Sequence, residues 1–157
     1  MQNNNKNIHV LARGVVIDQG HILLCRTLDL AINFYFLPGG HIEYNEAAQA
    51  TALREFLEET GAKCQIKRFL GCLEYSFEPG HSSICHNHEY NFIFELESPD
   101  LKAFTKIIQL EQHIELVWMP FNKLNEIDFR AEPLKELLPA WLNLEQVNVF
   151  KSIMRNN

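Results

Sequence analysis

The sequence predicts a single α/β domain in which a mixed β-sheet lies between helices. Strand-like and helix-like segments follow one another in the order strands, helix, strands, helix, which is typical of this class. The 157 residues suffice for one domain with its own core, and the hydrophobic share of 46% is ordinary for a globular protein. No internal repeat or linker interrupts residues 8–157, whereas the polar residues 1–7 are expected to form a disordered tail.

Strands are predicted from runs of β-branched, aliphatic and aromatic residues that end at turn signals. They comprise residues 8–17, 21–26, 34–37, 64–77, 88–97 and 113–119. The turn Asp18-Gln19-Gly20 should join the first two as a hairpin, and Gly71 should bend the fourth. The segment 88–97 alternates large apolar side chains with mainly polar ones, so we expect one of its faces to meet solvent or a ligand.

Helices are predicted at residues 47–60, 121–126 and 132–144. The first contains strong helix formers and neither Gly nor Pro. We expect the side chain of Asn45 to cap its N-terminus and Gly61 to end it in a left-handed conformation. Pro133 suits the first turn of the last helix, but Pro139 should kink or split that helix.

Charge and cysteine usage restrict the class of partner and the compartment. The net charge of −6 provides no general attraction to nucleic acid or to an anionic membrane, which argues against a long polynucleotide substrate. A small nucleotide remains compatible with it, because a metal ion can neutralise phosphates. None of the four cysteines forms a C-x-x-C pair, the N-terminal residues lack the apolar core of a signal peptide, and no run is long enough to span a membrane. These features predict a cytoplasmic protein with reduced thiols.

The first predicted helix carries three acidic residues on one side. At about 100° per residue, Glu55, Glu58 and Glu59 fall together, opposite an apolar side that includes Leu53 and Phe56. Carboxylates three and four residues apart repel, and the helix dipole disfavours negative charge in the last turn. A bound cation is the simplest compensation, and dense carboxylate oxygens suit Mg²⁺ or Mn²⁺. The alternative is an acidic face that is merely solvated.

The whole stretch around this helix resembles the Nudix box, the signature Gly-x5-Glu-x7-Arg-Glu-U-x-Glu-Glu-x-Gly-U, in which U is a bulky apolar residue. The matching positions are Gly40, Glu46, Arg54, Glu55, Phe56, Glu58, Glu59, Gly61 and Ala62. Only Ala62 departs from the pattern, because it is small where the signature has a bulky residue. Residues 39–62 carry this motif evidence, and the rest of the chain agrees only in the order of its elements.

The resemblance to the Nudix (MutT-like) hydrolases implies a Nudix-type α/β/α sandwich and a reaction. The expected reaction is hydrolysis of a pyrophosphate bond in a small nucleoside diphosphate linked to a moiety X, with Mg²⁺ as cofactor and Mn²⁺ as its substitute. A normal or oxidised nucleoside triphosphate and a nucleotide sugar such as ADP-ribose are both open as substrates. Two alternatives are a catalytically quiet nucleotide-binding regulatory module and an RNA 5′-end pyrophosphohydrolase. A homodimer is left open.

The same resemblance assigns roles to individual residues. The expected metal ligands are the carboxylates of Glu55, Glu58 and Glu59 and the backbone carbonyl of Gly39. Arg54 is expected to orient a ligand carboxylate, and Glu46 to have a structural role at the start of the helix. An ordinary surface ion pair is the alternative for both residues. The general base is left open between Glu111, Glu89 and Glu58.

Two further groups have more than one interpretation. His81, Cys85, His86 and His88 contain enough ligands for Zn²⁺, but they lack the paired spacing of structural zinc sites. A loop that contacts substrate and plain surface histidines are the alternatives. Four aromatic residues near the box can either stack on a nucleobase or belong to the core. They are Tyr35, Phe36, Tyr75 and Phe77.

Overall fold

Two β-sheets form the centre of the protein in the computed structural model, which describes residues 7–28, 31–78, 87–108, 110–143 and 148–155. The strands are β1 (Ile8–Val15), β2 (Ile17–Asp18), β3 (His21–Thr27), β4 (Tyr35–Phe36), β5 (Gly39–His41), β6 (Gln65–Ser76), β7 (His88–Glu97), β8 (Ile114–Pro120), β9 (Phe129–Arg130) and β10 (Phe150–Ile153). The helices are α1 (Ala48–Thr60), α2 (Leu134–Leu142) and a 3₁₀ helix, Phe121–Glu126.

The larger sheet is mixed, with the strand order β10-β6-β7-β1-β5. β1 runs parallel to β7 and antiparallel to β5, while β6 is antiparallel to β7 and parallel to β10. The smaller sheet has the order β2-β3-β4-β9, and β8 pairs with β3 as well. The predicted α/β class with a mixed sheet is therefore confirmed, and the second sheet is an addition that the sequence did not predict.

The core consists of two clusters, one on each face of the larger sheet. One contains Ala52 and Phe56 of α1 together with residues of β1 and β7. The other contains Leu138 and Trp141 of α2 with residues of β6, β7 and the smaller sheet. The larger sheet thus lies between α1 and α2, as the sandwich architecture requires.

The glycines after Pro38 form a strand of their own. The predicted strand at 34–37 ends before Pro38 as β4, and β5 then pairs with β1 so that Gly39 lies opposite Arg13, a strand that was not predicted from the sequence. Gly39 has φ +141°, and a Cβ there would lie 2.2 Å from the carbonyl oxygen of Ala12. Only a glycine permits this close approach of two backbones. The segment that would hold a ligand is therefore anchored in the larger sheet.

The C-terminal end of α1 is as predicted, but its N-terminal cap is not. Gly61 has φ 71° and its amide donates to the carbonyl of Leu57, as expected for a left-handed C-cap. Asn45 does not cap the helix, which begins three residues later with Ala47 at the N-cap position and no side-chain cap. Asn45 instead has φ 62° in the preceding turn. The carboxylate of Glu46 occupies the helix start in its place and accepts a bond from the hydroxyl of Thr51 at 2.7 Å.

The predicted solvent-facing side of β7 is buried. The strand has the expected bounds, yet Asn91 and Glu95 are only 3% and 8% exposed. The second sheet and α2 cover this face, and no local pattern could reveal that cover. Burial of the Glu95 carboxylate is offset by Lys67 and Arg68, whose nitrogens lie 2.8 and 2.6 Å from its oxygens.

The remaining elements differ from expectation in detail. The predicted first strand is divided into β1 and β2 at Val16, and β3 and the hairpin turn lie where they were predicted. α2 continues through Pro139 and is therefore not split. Within the described ranges, no helix is long and apolar enough to cross a membrane.

Gly71 provides a test of the packing between β6 and α2. A Cβ at this position would lie 2.6 to 2.7 Å from ring atoms of Trp141, so Gly71→Ala forces the indole to move. We expect the free energy of unfolding to fall by about 1–3 kcal/mol, the usual cost of overpacking. Urea denaturation followed by circular dichroism measures this change.

A double-mutant cycle with Trp141→Leu identifies the cause. The cost of Gly71→Ala should largely disappear when the indole is absent. Gly20→Ala is the control, because a Cβ there meets no atom within 4 Å and only its φ of +74° is unfavourable. An unchanged cost of Gly71→Ala in the Trp141→Leu protein would show that the backbone, rather than the indole, requires glycine.

Candidate active site

The carboxylate of Glu59 lies between α1 and β5. Glu59 is only 6% exposed, and its Oε2 accepts a hydrogen bond from the amide of Gly39 at 3.1 Å. The buried residues of α1 also include Thr51 and Ala52, whereas Leu57 is 44% exposed. A solvated acidic face, the alternative left open by the sequence, therefore does not describe Glu59. The helix turns part of its acidic side toward the sheet.

Burial leaves the charge of Glu59 poorly compensated. Desolvation raises the pKa of its carboxyl from 4.5 to about 8, and the guanidinium of Arg13 opposes this shift. The neighbouring carboxylates of Glu55 and Glu111 raise the pKa further, while the hydrogen bond from Gly39 lowers it. A buried carboxylate in such surroundings is stabilised by a cation that supplies more positive charge than one guanidinium.

Arg54 lies at the centre of a network of three carboxylates. Its Nε and Nη2 donate to Glu46 at 2.7 and 2.9 Å, and its Nη1 donates to Oε1 of Glu55 at 2.8 Å. The contact of Arg54 with Glu58, four residues later, is longer, at 3.4 Å. The hydrogen bonds from Arg54 are the main reason that the pKa of Glu46 falls to about 2. Arg54 thus orients Glu55 while Glu46 anchors the guanidinium.

Gly40 explains how the carboxylate of Glu55 fits against the backbone. A Cβ at Gly40 would lie 2.4 Å from both the Cδ and the Oε1 of Glu55. The absence of a side chain therefore creates the space in which this carboxylate lies. Together, Gly39 and Gly40 bring two carboxylates of α1 against the backbone of β5.

The donor atoms at this site suit a hard divalent cation. Three carboxylates and the carbonyl of Gly39 supply only oxygen, which Mg²⁺ and Mn²⁺ prefer. Across the described part of the chain, however, no three His, Cys, Asp or Glu side chains are arranged to hold a metal ion. The reason is that Glu55 and Glu58 both turn toward Arg54. The side chain of Glu58 is 54% exposed, and the donor set of three carboxylates and one carbonyl fits the ion by its chemistry.

The two candidates for a general base outside the box lie in different surroundings. The negative charge of Glu111 contributes to the raised pKa of Glu59, and the Oε2 of Glu111 is 3.1 Å from Nε2 of His113. Glu89 lies on β7, accepts a hydrogen bond from Asn91 at 2.9 Å and raises the pKa of Tyr75. The electrostatic coupling to Glu59 therefore favours Glu111 over Glu89.

Arg13 belongs to this site and was missed in the sequence. Its Nη1 donates to the carbonyl oxygens of Leu37 and Gly39 at 3.1 and 3.2 Å. The available signal was a single charged residue inside an otherwise apolar strand segment. Such a residue needs a buried partner, but the sequence alone does not show which one.

The aromatic candidates separate into core and rim. Tyr35 and Tyr75 pack against the core cluster of α2. Phe36 instead lies beneath the guanidinium of Arg13, with 5.7 Å between the guanidinium carbon and the ring centroid. Phe34 lies 5.9 Å from Phe36, and the guanidinium of an arginine of β9 lies 4.1 Å from the ring centroid of Phe34. Two neighbouring rings, with a guanidinium on each of them, thus form a row that leads away from β5.

Of the histidine and cysteine group, only His88 lies within the described residues. His81, Cys85 and His86 lie outside the described residues. His88 begins β7, and its Nε2 is 3.6 Å from Oε1 of Glu74. Phe77 contacts Tyr75, with 5.6 Å between the ring centroids.

Comparisons with known proteins agree with this fold. "Putative mutator protein MutT4" of Mycobacterium tuberculosis is 33% identical over 93 residues, which are 56% of this chain and 33% of that protein. "Nucleoside diphosphate-linked moiety X motif 6" of Xenopus laevis is 35% identical over 69 residues, which are 43% of this chain and 32% of that protein. The chain thus matches only about a third of the length of either relative.

A solved structure shows the same fold over nearly the whole chain. The MutT protein of Methanosarcina mazei superimposes with a TM-score of 0.67 at 18% identity, covering 90% of this chain and 98% of that one. The model of the NUDIX domain matches residues 8–147, a range that includes the acidic helix, the glycines of β5 and Glu111. This match shows that the chain belongs to the NUDIX domain family.

Proposed function

We propose that the protein hydrolyses a pyrophosphate bond in a small nucleoside diphosphate linked to a moiety X, with Mg²⁺ as cofactor and Mn²⁺ as its substitute. The observation that carries this proposal is the carboxylate of Glu59, buried beside Glu55 and the backbone of Gly39 without sufficient positive charge. The family's members act on small nucleotide-linked substrates. A divalent ion would supply the missing positive charge beside Glu59, and a pyrophosphate could bind to the same ion.

The chain's own residues prepare the reaction in distinct ways. Divalent ions, when bound, would neutralise the pyrophosphate and favour attack by water. Arg54 orients Glu55, while Glu58 is the more exposed carboxylate and lies farther from Arg54, at 3.4 Å. Glu111 is the proposed general base that accepts the proton of the attacking water. Water then forms a new bond to phosphorus while the bond from that phosphorus to the bridging oxygen breaks.

The identity of X is left between a nucleoside triphosphate, normal or oxidised, and a nucleotide sugar such as ADP-ribose. The row of Phe34 and Phe36 beside Arg13 is the proposed place for a flat group of the substrate, because rings and guanidiniums both stack on a nucleobase. A catalytically quiet module is disfavoured, since all three box carboxylates are present. The net charge of −6 disfavours an RNA end.

The cellular setting is part of the proposal. We propose a cytoplasmic protein in which residues 8–157 form one domain. In the described ranges Cys25, Cys64 and Cys72 are free, and burial raises the pKa of each thiol, as expected for unreactive thiols in a reducing compartment.

A substrate panel tests the function. Phosphate release would be measured with Mg²⁺ after coupled phosphatase treatment, over normal and oxidised nucleoside triphosphates, ADP-ribose, other nucleotide sugars and dinucleoside polyphosphates. Metal-dependent turnover of one class would identify X. Nucleotide binding without turnover of any compound would contradict the proposed activity and favour a regulatory module.

Glu58→Gln should lower kcat by at least about a hundredfold, because the amide removes a metal ligand or a base. Steady-state kinetics on the best substrate of the panel measures the effect. Glu126→Gln is the matched control, since this exposed acid lies on the 3₁₀ helix and forms an ion pair with Lys123 there. Full activity of Glu58→Gln would remove Glu58 from the site.

Glu111→Gln should reduce kcat more than Glu89→Gln, because the charge of Glu111 acts on the box carboxylate Glu59. The acidic limb of the pH profile of kcat should be lost in Glu111→Gln and kept in Glu89→Gln. The reverse order of the two variants would transfer the role of general base to Glu89.

Glu59 should make the stability of the metal-free protein dependent on pH. Its pKa is about 8 in the folded state and near 4.5 when unfolded, so the folded state holds the proton more tightly. This contribution is favourable at low pH and is lost as the pH rises from about 4.5 to about 8. Thermal unfolding with a chelator should show Glu59→Gln to be more stable than the native protein at pH 8 but not at pH 4.5.

Addition of Mg²⁺ provides the control for this titration. At pH 8 the ion should raise the melting temperature of the native protein more than that of Glu59→Gln, because the native protein binds it in the folded state. Equal stabilisation of both proteins by Mg²⁺ would argue against Glu59 as a ligand.

A further inference from the structure

Arg13 makes an unusual pair of contacts in the middle of β1. One nitrogen, Nη1, donates to two backbone carbonyls, those of Leu37 and Gly39, at 3.1 and 3.2 Å. These carbonyls lie on either side of Pro38, where the chain enters β5. The guanidinium thus binds the backbone of the segment that contains the proposed carbonyl ligand.

The segment is held from two other directions as well. The amide of Gly14 donates to the carbonyl of Pro38 at 3.0 Å, and the amide of Gly39 donates to Glu59 at 3.1 Å. These bonds fix the position of the segment through its Pro38 carbonyl and its Gly39 amide. The bond from Arg13 adds a side-chain contact to the carbonyl of Gly39.

The contact constrains the direction of that carbonyl. A carbonyl oxygen has two lone pairs, so one can accept from Arg13 while the other is directed elsewhere. The guanidinium carbon lies 5.7 Å from the ring centroid of Phe36, and the positive charge of Arg13 lowers the pKa of Glu59. A planar guanidinium on a ring has few alternative orientations, so the carbonyl that it holds also has few.

We propose that Arg13 is a positioning residue of the divalent-ion site: it orients the carbonyl of Gly39 so that this oxygen and Glu59 face the same ion. The inference rests on the proposed function, because the ion is part of that function. Arg13 does not touch the ion in this proposal. It acts through the backbone of β5 and the segment before it.

The direction in which cation affinity changes when Arg13 is removed distinguishes a positioning role from a purely electrostatic one. Arg13 is positive, so electrostatics alone predicts that its removal strengthens the binding of a cation nearby. Positioning predicts the opposite, because a carbonyl that is free to turn is a poorer ligand. Loss of a residue that orients a metal ligand typically weakens metal affinity by about 10- to 100-fold.

The experiment is Mg²⁺ and Mn²⁺ binding to the full chain, measured by calorimetry for the native protein, Arg13→Met and Arg13→Lys. Arg13→Met keeps an apolar side chain over Phe36 but removes the donors and the charge. We expect it to bind Mg²⁺ about 10- to 100-fold more weakly. Arg13→Lys keeps the charge with a shorter donor and should fall between the other two proteins. Lys123→Met is the control for loss of one positive charge elsewhere.

A spectroscopic readout is independent of activity. In the native protein, Mg²⁺ should shift the carbonyl ¹³C resonance of Gly39, and the shift should be reduced in Arg13→Met. Unchanged or tighter binding in Arg13→Met would overturn the inference. If Arg13→Met does not fold, affinity in Arg13→Lys equal to that of the native protein would overturn it instead.

The proposed function and this inference fail in different ways. A native protein that binds no divalent ion and hydrolyses no compound of the panel refutes the proposed function, and the inference with it. A native protein that binds Mg²⁺ and turns over substrate, with equal Mg²⁺ affinity in all Arg13 variants, refutes the inference alone.

Discussion

The buried contact between the carboxylate of Glu59 and the backbone of β5 is the interaction on which the rest of the site depends. It requires α1 to turn part of its acidic side toward the sheet, which is possible because the residues at the contact are small. Thr51 and Ala52 on the helix are buried, and a side chain at Gly14 or Gly40 would overlap the helix residues opposite. Close packing of this kind shields the Glu59 carboxylate from water, so its ionised form requires a nearby cation for stabilisation.

Two arginines partly meet that need from opposite sides. Arg54 forms ion pairs with Glu46 and Glu55, and the positive charge of Arg13 on β1 lowers the pKa of Glu59. The compensation is incomplete, because the pKa of Glu59 remains at about 8. In the metal-free protein, the positive charge near Glu59 is therefore too small to stabilise its ionised form. In the proposed function, a divalent ion would bind the carboxylates that now turn toward Arg54. Such an arrangement links ion binding to a small rotation of side chains rather than to a change of fold.

The two sheets determine where a substrate can lie. β1 is central, since it pairs with β7 on one side and with β5 on the other, and it carries Arg13 between them. The smaller sheet brings β4 alongside, so that Phe36 lies under Arg13 and Phe34 continues the row. The proposed chemistry at β5 and the proposed stacking surface at β4 are thus joined by one guanidinium. Variation of the loops around this row would change X without changing the catalytic half of the site.

Local patterns were sufficient to predict the fold class, the bounds of β7, the C-terminal end of α1 at Gly61 and the set of carboxylates on one helix, because capping, alternation and spacing are local properties. Long-range packing was needed to show that Asn45 is not the cap, that the polar face of β7 is covered and that Glu59 is buried. It also revealed Arg13, whose partners are distant in sequence. The physical reason is the same for each: which face of an element is buried depends on the neighbours that pack against it, and those neighbours come from remote parts of the chain.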